Sequence, residues 1–210
     1  MDKKIDFEGE DERGRWKTHI YIPGTFVALI RARDQYTNTR ESLVDDVDFS
    51  TLELVYGCFP SDATKLDLLH ISLSRQSSLK RHEIDRVRVR IAVNLRGLRA
   101  FTLRLSAERL VELRSENDVM FGGLRVTTGK DQVHALIDAV DEALVAYGQE
   151  PYYEERVLHC SLVQWSLEAD RERDEVKRQR AGGISMTFAV PVKHIVMRSG
   201  HLTYLIKLPS

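Results

Sequence analysis

Alternation of polar and apolar side chains predicts most of the strands in this chain. Residues 16–22 alternate in this way, and Pro23-Gly24 ends the pattern. Seven further segments have strand character, namely residues 66–75, 99–105, 109–114, 120–127, 156–165, 184–198 and 202–208. Ser199-Gly200 separates the last two and is typical of a hairpin turn. The pattern therefore predicts a chain rich in antiparallel strands.

Other segments have helical character. Residues 130–147 carry apolar side chains at intervals of three and four, and Gly148 is a candidate C-cap. Residues 79–95 are rich in arginine and are predicted to be helical. We also expect a helix within residues 25–45, a short element near 51–57, and a charged helical or mobile segment at 168–180. The mixture predicts an α+β fold that is mostly antiparallel.

Composition limits the class of protein without naming a function. The chain has 210 residues, of which 42% are hydrophobic and 30% charged, as in an ordinary soluble protein of one domain or two small packed lobes. No apolar run approaches the roughly 20 residues of a membrane helix, and the charged start lacks the apolar centre of a signal peptide. Cys58 and Cys160 have no metal-binding spacing. We therefore expect an intracellular protein without a zinc site and without a membrane partner.

Basic residues are concentrated in one part of the chain, although the net charge is only −1. Between Arg75 and Arg104 there are nine basic residues against two acidic ones. Such a stretch could hold a phosphate backbone, or it could be the solvated face of a helix. Charge alone leaves both interpretations open.

One short motif occurs twice and carries the candidate chemistry. Leu-His-x-Ser-Leu is found at residues 69–73 and again at 158–162, so that His159 follows His70 by 89 positions. On a strand, a histidine and the serine two residues later point the same way, roughly 7 Å apart along the chain. Two such strands lying side by side would present two imidazoles and two hydroxyls to one space. Each motif precedes a candidate helix, which indicates two loosely similar halves.

Two histidines suit the cleavage of RNA by its own 2′-hydroxyl. The reaction needs a base to remove the hydroxyl proton and an acid to protonate the departing 5′-oxygen, and an imidazole can do either near neutral pH. Ser72 and Ser161 could donate hydrogen bonds to the phosphate oxygens. Neither motif lies beside a cluster of carboxylates, so the residues favour a route without metal or other cofactor. The unmatched histidines are interpreted as structural or surface residues: His19, His82, His134, His194 and His201.

With these motifs in place, the chain resembles the U6 small nuclear RNA phosphodiesterase family (Usb-type or Mpn-type) of the two-histidine (2H) phosphoesterase superfamily. The paired motifs alone indicate the superfamily, whereas the opening ERGRWKTHIYIP and the tyrosine ahead of the second motif indicate the family. The resembling segments are collinear and cover nearly the whole chain: residues 12–23, 69–74, 121–127, 152–162 and 197–200.

The resemblance implies a bilobal 2H fold, with residues 1–210 forming one domain whose two pseudo-symmetric lobes face a central groove. It implies a monomeric nuclear 3′–5′ exoribonuclease that trims the oligouridine tail of U6 RNA and leaves a 2′,3′-cyclic phosphate, which some members open to a 3′-phosphate. His70 and His159 match the catalytic pair, and Ser72 and Ser161 match the phosphate-binding hydroxyls. Tyr153 matches a tyrosine that stacks on the terminal base.

Some features depart from the family pattern and leave alternatives open. The turn before the Phe-Gly-Gly strand begins at Ser115 and reads Ser-Glu-Asn, not the glutamine-containing version of the family, so Ser115 is a candidate substrate contact only by position. Residues 24–65 match poorly. A hydrolase of small 2′,3′-cyclic phosphates or an RNA end-repair enzyme is one alternative function. An RNA-binding module without turnover is another.

Overall fold

The computed structural model describes residues 13–23, 26–32, 41–44, 64–65, 69–114, 118–166 and 184–210, with side chains described outside 26–32, 41–44, 64–65, 107–110 and 184–186. These residues form twelve strands, two α-helices and a 3-10 turn. In chain order they are β1 Arg15–Pro23, β2 Phe26–Ala32, β3 Glu41–Val44, β4 Thr64–Lys65, β5 His70–Ser72, β6 Ser77–Lys80, α1 Arg81–Asn94, the turn Leu95–Gly97, β7 Phe101–Arg114, β8 Val119–Thr128, α2 Lys130–Val145, β9 His159–Ser166, β10 Ile184–Val192, β11 His194–Ser199 and β12 Leu202–Lys207.

The strands form two antiparallel sheets. The first sheet has the order β12-β11-β1-β5, with β6 also pairing with β1, and the second has the order β3-β2-β10-β7-β8-β9-β4. The two His-x-Ser motifs lie in different sheets, because β5 belongs to the first and β9 to the second. These two strands contact each other, so the motifs lie where the sheets meet. The predicted antiparallel α+β fold is confirmed.

A single hydrophobic cluster joins both sheets to both helices. Alternation on β1 turns Trp16, Ile20 and Ile22 into this core, where α1 adds a buried face of Ile84, Val87 and Ile91. Helix α2 buries most of its predicted apolar face, and it packs against α1. Each sheet therefore has one face on the core, which leaves its other face available for a site. The division of residues 1–210 into one domain of two lobes stays a prediction.

Several sequence expectations are confirmed. The first strand, both predicted helices near 79–95 and 130–147, and the hairpin at Ser199-Gly200 are present. Gly200 has φ +53°, and a Cβ there would lie 2.5 Å from the Trp16 ring, so this turn requires glycine on two counts. Gly148, with φ +71°, lies just beyond the end of α2, as expected for a C-cap glycine.

Other expectations are wrong in the described residues. The helix expected within 25–45 is replaced by β2 and β3, which pair with each other. The segments 99–105 and 109–114 are a single strand, β7, whose register is irregular between Ser106 and Leu110. Of the predicted strand 66–75, the described residues 69–75 contain only the short β5, and β6 was not expected. The element near 51–57 and the segment 168–180 lie outside the described residues. Neither described helix has the length and apolar character needed to cross a membrane.

Candidate active site

The first motif lies on the edge of the first sheet, beside β1. In this pairing Tyr21 is opposite Ser72, and Pro23 is opposite His70. Residues opposite each other in a ladder share a face, so His70, Ser72 and Tyr21 all lie on the face turned away from the core. Ile71 points the other way and is fully buried. The expectation that His70 and Ser72 point the same way is therefore confirmed.

The second motif lies beside β8 in the other sheet. Arg125 is opposite His159, and Gly123 is opposite Ser161. Cys160, between the histidine and the serine, points into the core. A Cβ at Gly123 would lie 2.5 Å from the carbonyl oxygen of Cys160, so the two backbones approach here to a distance that only glycine allows.

The two histidines lie near each other across the junction of the sheets. The charge of His70 contributes to lowering the pKa of His159, and the Cys160 thiol interacts with the backbone of His70. Burial raises the pKa of that thiol to about 12, so Cys160 remains a neutral core residue. The structure thus brings the two predicted histidines together.

His159 is held in one tautomer by the chain just before it. Its Nδ1 lies 2.7 Å from the carbonyl oxygen of Val157. Because a carbonyl can only accept, Nδ1 carries the proton, and the neutral ring presents an unprotonated Nε2. Burial lowers the pKa of His159; the hydrogen bond to Val157 opposes this and the charge of His70 reinforces it. His159 is therefore a neutral imidazole at pH 7, ready to accept a proton.

His19 also belongs to this site, contrary to its interpretation from sequence as a structural or surface residue. Its Nε2 lies 3.2 Å from the Ser72 hydroxyl, and its ring meets the His70 ring edge-on at 5.1 Å between centroids. Tyr21 packs at 5.2 Å from the same His70 ring. The alternation of β1 predicts that His19 and Tyr21 share its polar face, whereas the meeting of that face with the first motif follows from the pairing of β1 with β5.

Tyr153 lies beside the segment that follows the first motif. The Arg75 guanidinium lies 4.1 Å from the centre of the Tyr153 ring, and Arg75 also pairs with Glu150 at 2.7 Å. Tyr153 is 44% exposed, which is a high fraction for a large aromatic residue. Ser115, the remaining predicted contact, lies outside the described residues. No group of three or more potential metal ligands occurs among the described side chains.

Comparison with known proteins finds relatives that are named as U6 snRNA phosphodiesterases. The chain is 26% identical over 168 residues to U6 snRNA phosphodiesterase 1 of Xenopus laevis, a match covering 77% of this chain but only 60% of that protein. The chain thus spans less than two thirds of that relative. In fold it is similar to Usb1 of Kluyveromyces marxianus with uridine monophosphate, at TM-score 0.52 and 11% identity, covering 90% of this chain and 98% of that one.

The same fold is found in E. coli LigT, at TM-score 0.50 and 10% identity, with 94% of this chain and 99% of that chain covered. The model of the HVSL family, described as an uncharacterised conserved protein, matches residues 9–207. The resemblance seen in the sequence to U6 RNA phosphodiesterases is thus confirmed, and the chain belongs to the HVSL family.

Proposed function

We propose that this protein is a metal-independent 3′–5′ exoribonuclease that trims the 3′ end of U6 snRNA and leaves a 2′,3′-cyclic phosphate. The observation that carries the proposal is the meeting of two His-x-Ser strands, one of whose histidines presents an unprotonated Nε2. The similarity to U6 snRNA phosphodiesterase 1 supports the choice of RNA and, with it, a nuclear location. We expect the enzyme to act as a monomer.

His159 is the general base in this proposal, and His70 is the general acid. Nε2 of His159 takes the proton from the 2′-hydroxyl as the 2′-oxygen forms its bond to phosphorus. The bond from phosphorus to the 5′-oxygen of the terminal nucleotide breaks, and protonated His70 gives its proton to that oxygen. The assignment follows from the tautomer, since Val157 already holds the Nδ1 proton of His159.

Ser72 and Ser161 donate to the non-bridging oxygens of the phosphate, where negative charge accumulates in the transition state. They are suited to this because each shares a face with its histidine, and each is only half-buried. The two histidines supply both proton transfers, so the mechanism assigns no task to a metal ion.

Tyr153 stacks on the terminal base in this scheme. One face of its ring is covered by the Arg75 guanidinium, while much of the side chain is exposed, which suits a platform with a base on the other face. Stacking tolerates any base, so Tyr153 accounts for binding at the 3′ end more than for a choice between uridine and adenosine.

Product analysis and an activated substrate test this scheme. Oligouridine incubated in EDTA should lose 3′ nucleotides, and mass analysis should find a 2′,3′-cyclic phosphate on the shortened chain.

A uridine 3′-aryl phosphodiester, whose leaving group needs no proton, should restore most of the activity of His70→Ala and little of that of His159→Ala. The reverse pattern of rescue would overturn the assignment of acid and base, and loss of cleavage in EDTA would overturn metal independence.

A further inference from the structure

His19 lies on β1 and contacts both members of the first motif. Its Nε2 lies within hydrogen-bonding distance of the Ser72 hydroxyl, and its ring packs edge-on against His70. The second motif has a different neighbour, because the residue opposite Ser161 is Gly123, which has no side chain to offer. The two serines therefore differ in what their paired strand can do to orient them.

We propose that His19 is a positioning residue that donates from Nε2 to the Ser72 oxygen and thereby directs the Ser72 proton toward the phosphate. This inference rests on the proposed function, in which Ser72 donates to a phosphate oxygen. A hydroxyl rotates freely about its Cβ–Oγ bond, and only one of its orientations aims the proton at the substrate. Because the hydrogen bond from His19 occupies a lone pair of the Ser72 oxygen on the side of β1, the Ser72 proton is left to point toward the opposite, open side.

The environment of His19 keeps the ring uncharged, as this task requires. Burial, with a smaller contribution from the charge of His70, lowers the pKa of His19 to about 3. A neutral ring carries one proton, and it adds no positive charge beside His70, whose own charge the reaction uses. His19 is therefore unsuited to be an acid or a base at neutral pH and well suited to hold a hydroxyl.

A matched pair of substitutions separates this role from packing. The amide of glutamine reaches the position of Nε2, whereas the amide of asparagine reaches only that of Nδ1. We expect His19→Gln to keep kcat on oligouridine within about threefold and His19→Asn to lower it about tenfold, with KM nearly unchanged, a smaller loss than the 10²–10³ of a missing direct donor. In a Ser72→Ala background, His19→Asn should cause no further loss of kcat, because the hydroxyl through which His19 acts is absent.

The proposal is overturned if the Gln and Asn variants lose equal activity, if His19→Asn keeps the wild-type kcat, or if its cost persists in the Ser72→Ala background. A measurement on the unaltered protein serves even if a variant fails to fold. Nitrogen-15 NMR at pH 7 should find a neutral His19 ring with its proton on Nε2, and a proton on Nδ1 would refute the inference. Full activity of Ser72→Ala and His159→Ala would instead refute the proposed function itself.

Discussion

At the scale of a single residue, the protonation state of His159 decides what the site can do. Its Nδ1 proton is committed to Val157, and burial favours the neutral ring. In the unfolded chain the same imidazole would titrate near its ordinary value of 6.5. The fold therefore extends the pH range in which Nε2 is free to accept a proton down into mildly acidic solution.

The acid limb of the activity profile should report this shift. Protonation of His159 abolishes the base, and its lowered pKa moves that loss to lower pH, so the acid limb of kcat/KM should have its midpoint below about pH 6.5. The measurement is kcat/KM on oligouridine between about pH 5 and pH 8. A limb centred above 6.5 would mean that His159 is not the base, or that its pKa is not lowered by burial.

At the scale of elements, the site depends on how closely β8 and β9 approach. Ser161 is paired with Gly123, where the backbone of Cys160 leaves no room for a Cβ. A side chain at this position would force the two strands apart at the second motif. Strand separation would move Ser161 and His159 relative to the first motif, since these two residues are carried by β9 alone.

Gly123→Ala should therefore damage both stability and activity. We expect a loss of about 2–4 kcal/mol in the free energy of unfolding, because a core strand must shift, together with a clear fall in kcat. Gly97→Ala is the matched control: no atom lies within 4 Å of a Cβ there and its φ is not positive, so its effect should stay within about 0.5 kcal/mol. Urea unfolding and initial rates measure the two effects. Equal stability of the two variants would contradict the close approach.

Local pattern in the sequence predicted the elements with a regular period, which is two residues in β1 and β9 and three to four in α2. It also predicted the common direction of each histidine and its serine. It failed at β2, whose sequence FVALIRA is a nearly continuous apolar run with no period that separates strand from helix. It divided β7 in two because the register slips near residues 106–110 and interrupts the alternation.

The role of His19 was missed for a different reason. Its contact with Ser72 depends on the pairing of β1 with β5, and register between strands 50 residues apart along the chain is not contained in the pattern of either strand. The same holds for the pairing of Arg75 with Tyr153. Contacts of this kind come from the topology, whereas the motif itself could be found in the sequence.

On the scale of the whole molecule, the structure separates two groups of basic residues. The arginines of α1 lie on a helix whose apolar side packs on the core face of the first sheet, away from His70. Two of them form ion pairs, Arg88 with Asp85 and Arg90 with Glu142. This part of the basic stretch fits the solvated helix face. Arg125 and Arg198 are placed differently, because each is opposite a histidine of the site, His159 and His19 respectively.

Arg125 should contact a phosphate of the RNA chain in addition to the one cleaved. It is exposed and shares a face with His159, and a phosphate contact contributes to binding in a salt-dependent manner. Arg125→Gln should raise KM for oligouridine and lower the slope of log affinity against log salt by about 0.7, the value for one contact to a single strand. Cleavage of a uridine 3′-aryl phosphodiester, which has no phosphate besides the one cleaved, should change little.

Arg86→Gln is the control for this prediction, since Arg86 is also exposed but lies on α1. It should leave both KM and the salt slope unchanged. Identical effects of the two substitutions would indicate a general effect of net charge. An unchanged slope in Arg125→Gln would remove this arginine from the RNA-binding surface.

The most direct measurement of the central claim is the single-turnover rate of oligouridine cleavage by His70→Ala and by His159→Ala, with His82→Ala, an exposed histidine of α1, as the control. If the two imidazoles act together on one phosphate, each of the first two variants should lose on the order of 10²–10⁴ in rate while remaining folded. The control should cleave at the wild-type rate. Wild-type cleavage by either His70→Ala or His159→Ala would contradict the account.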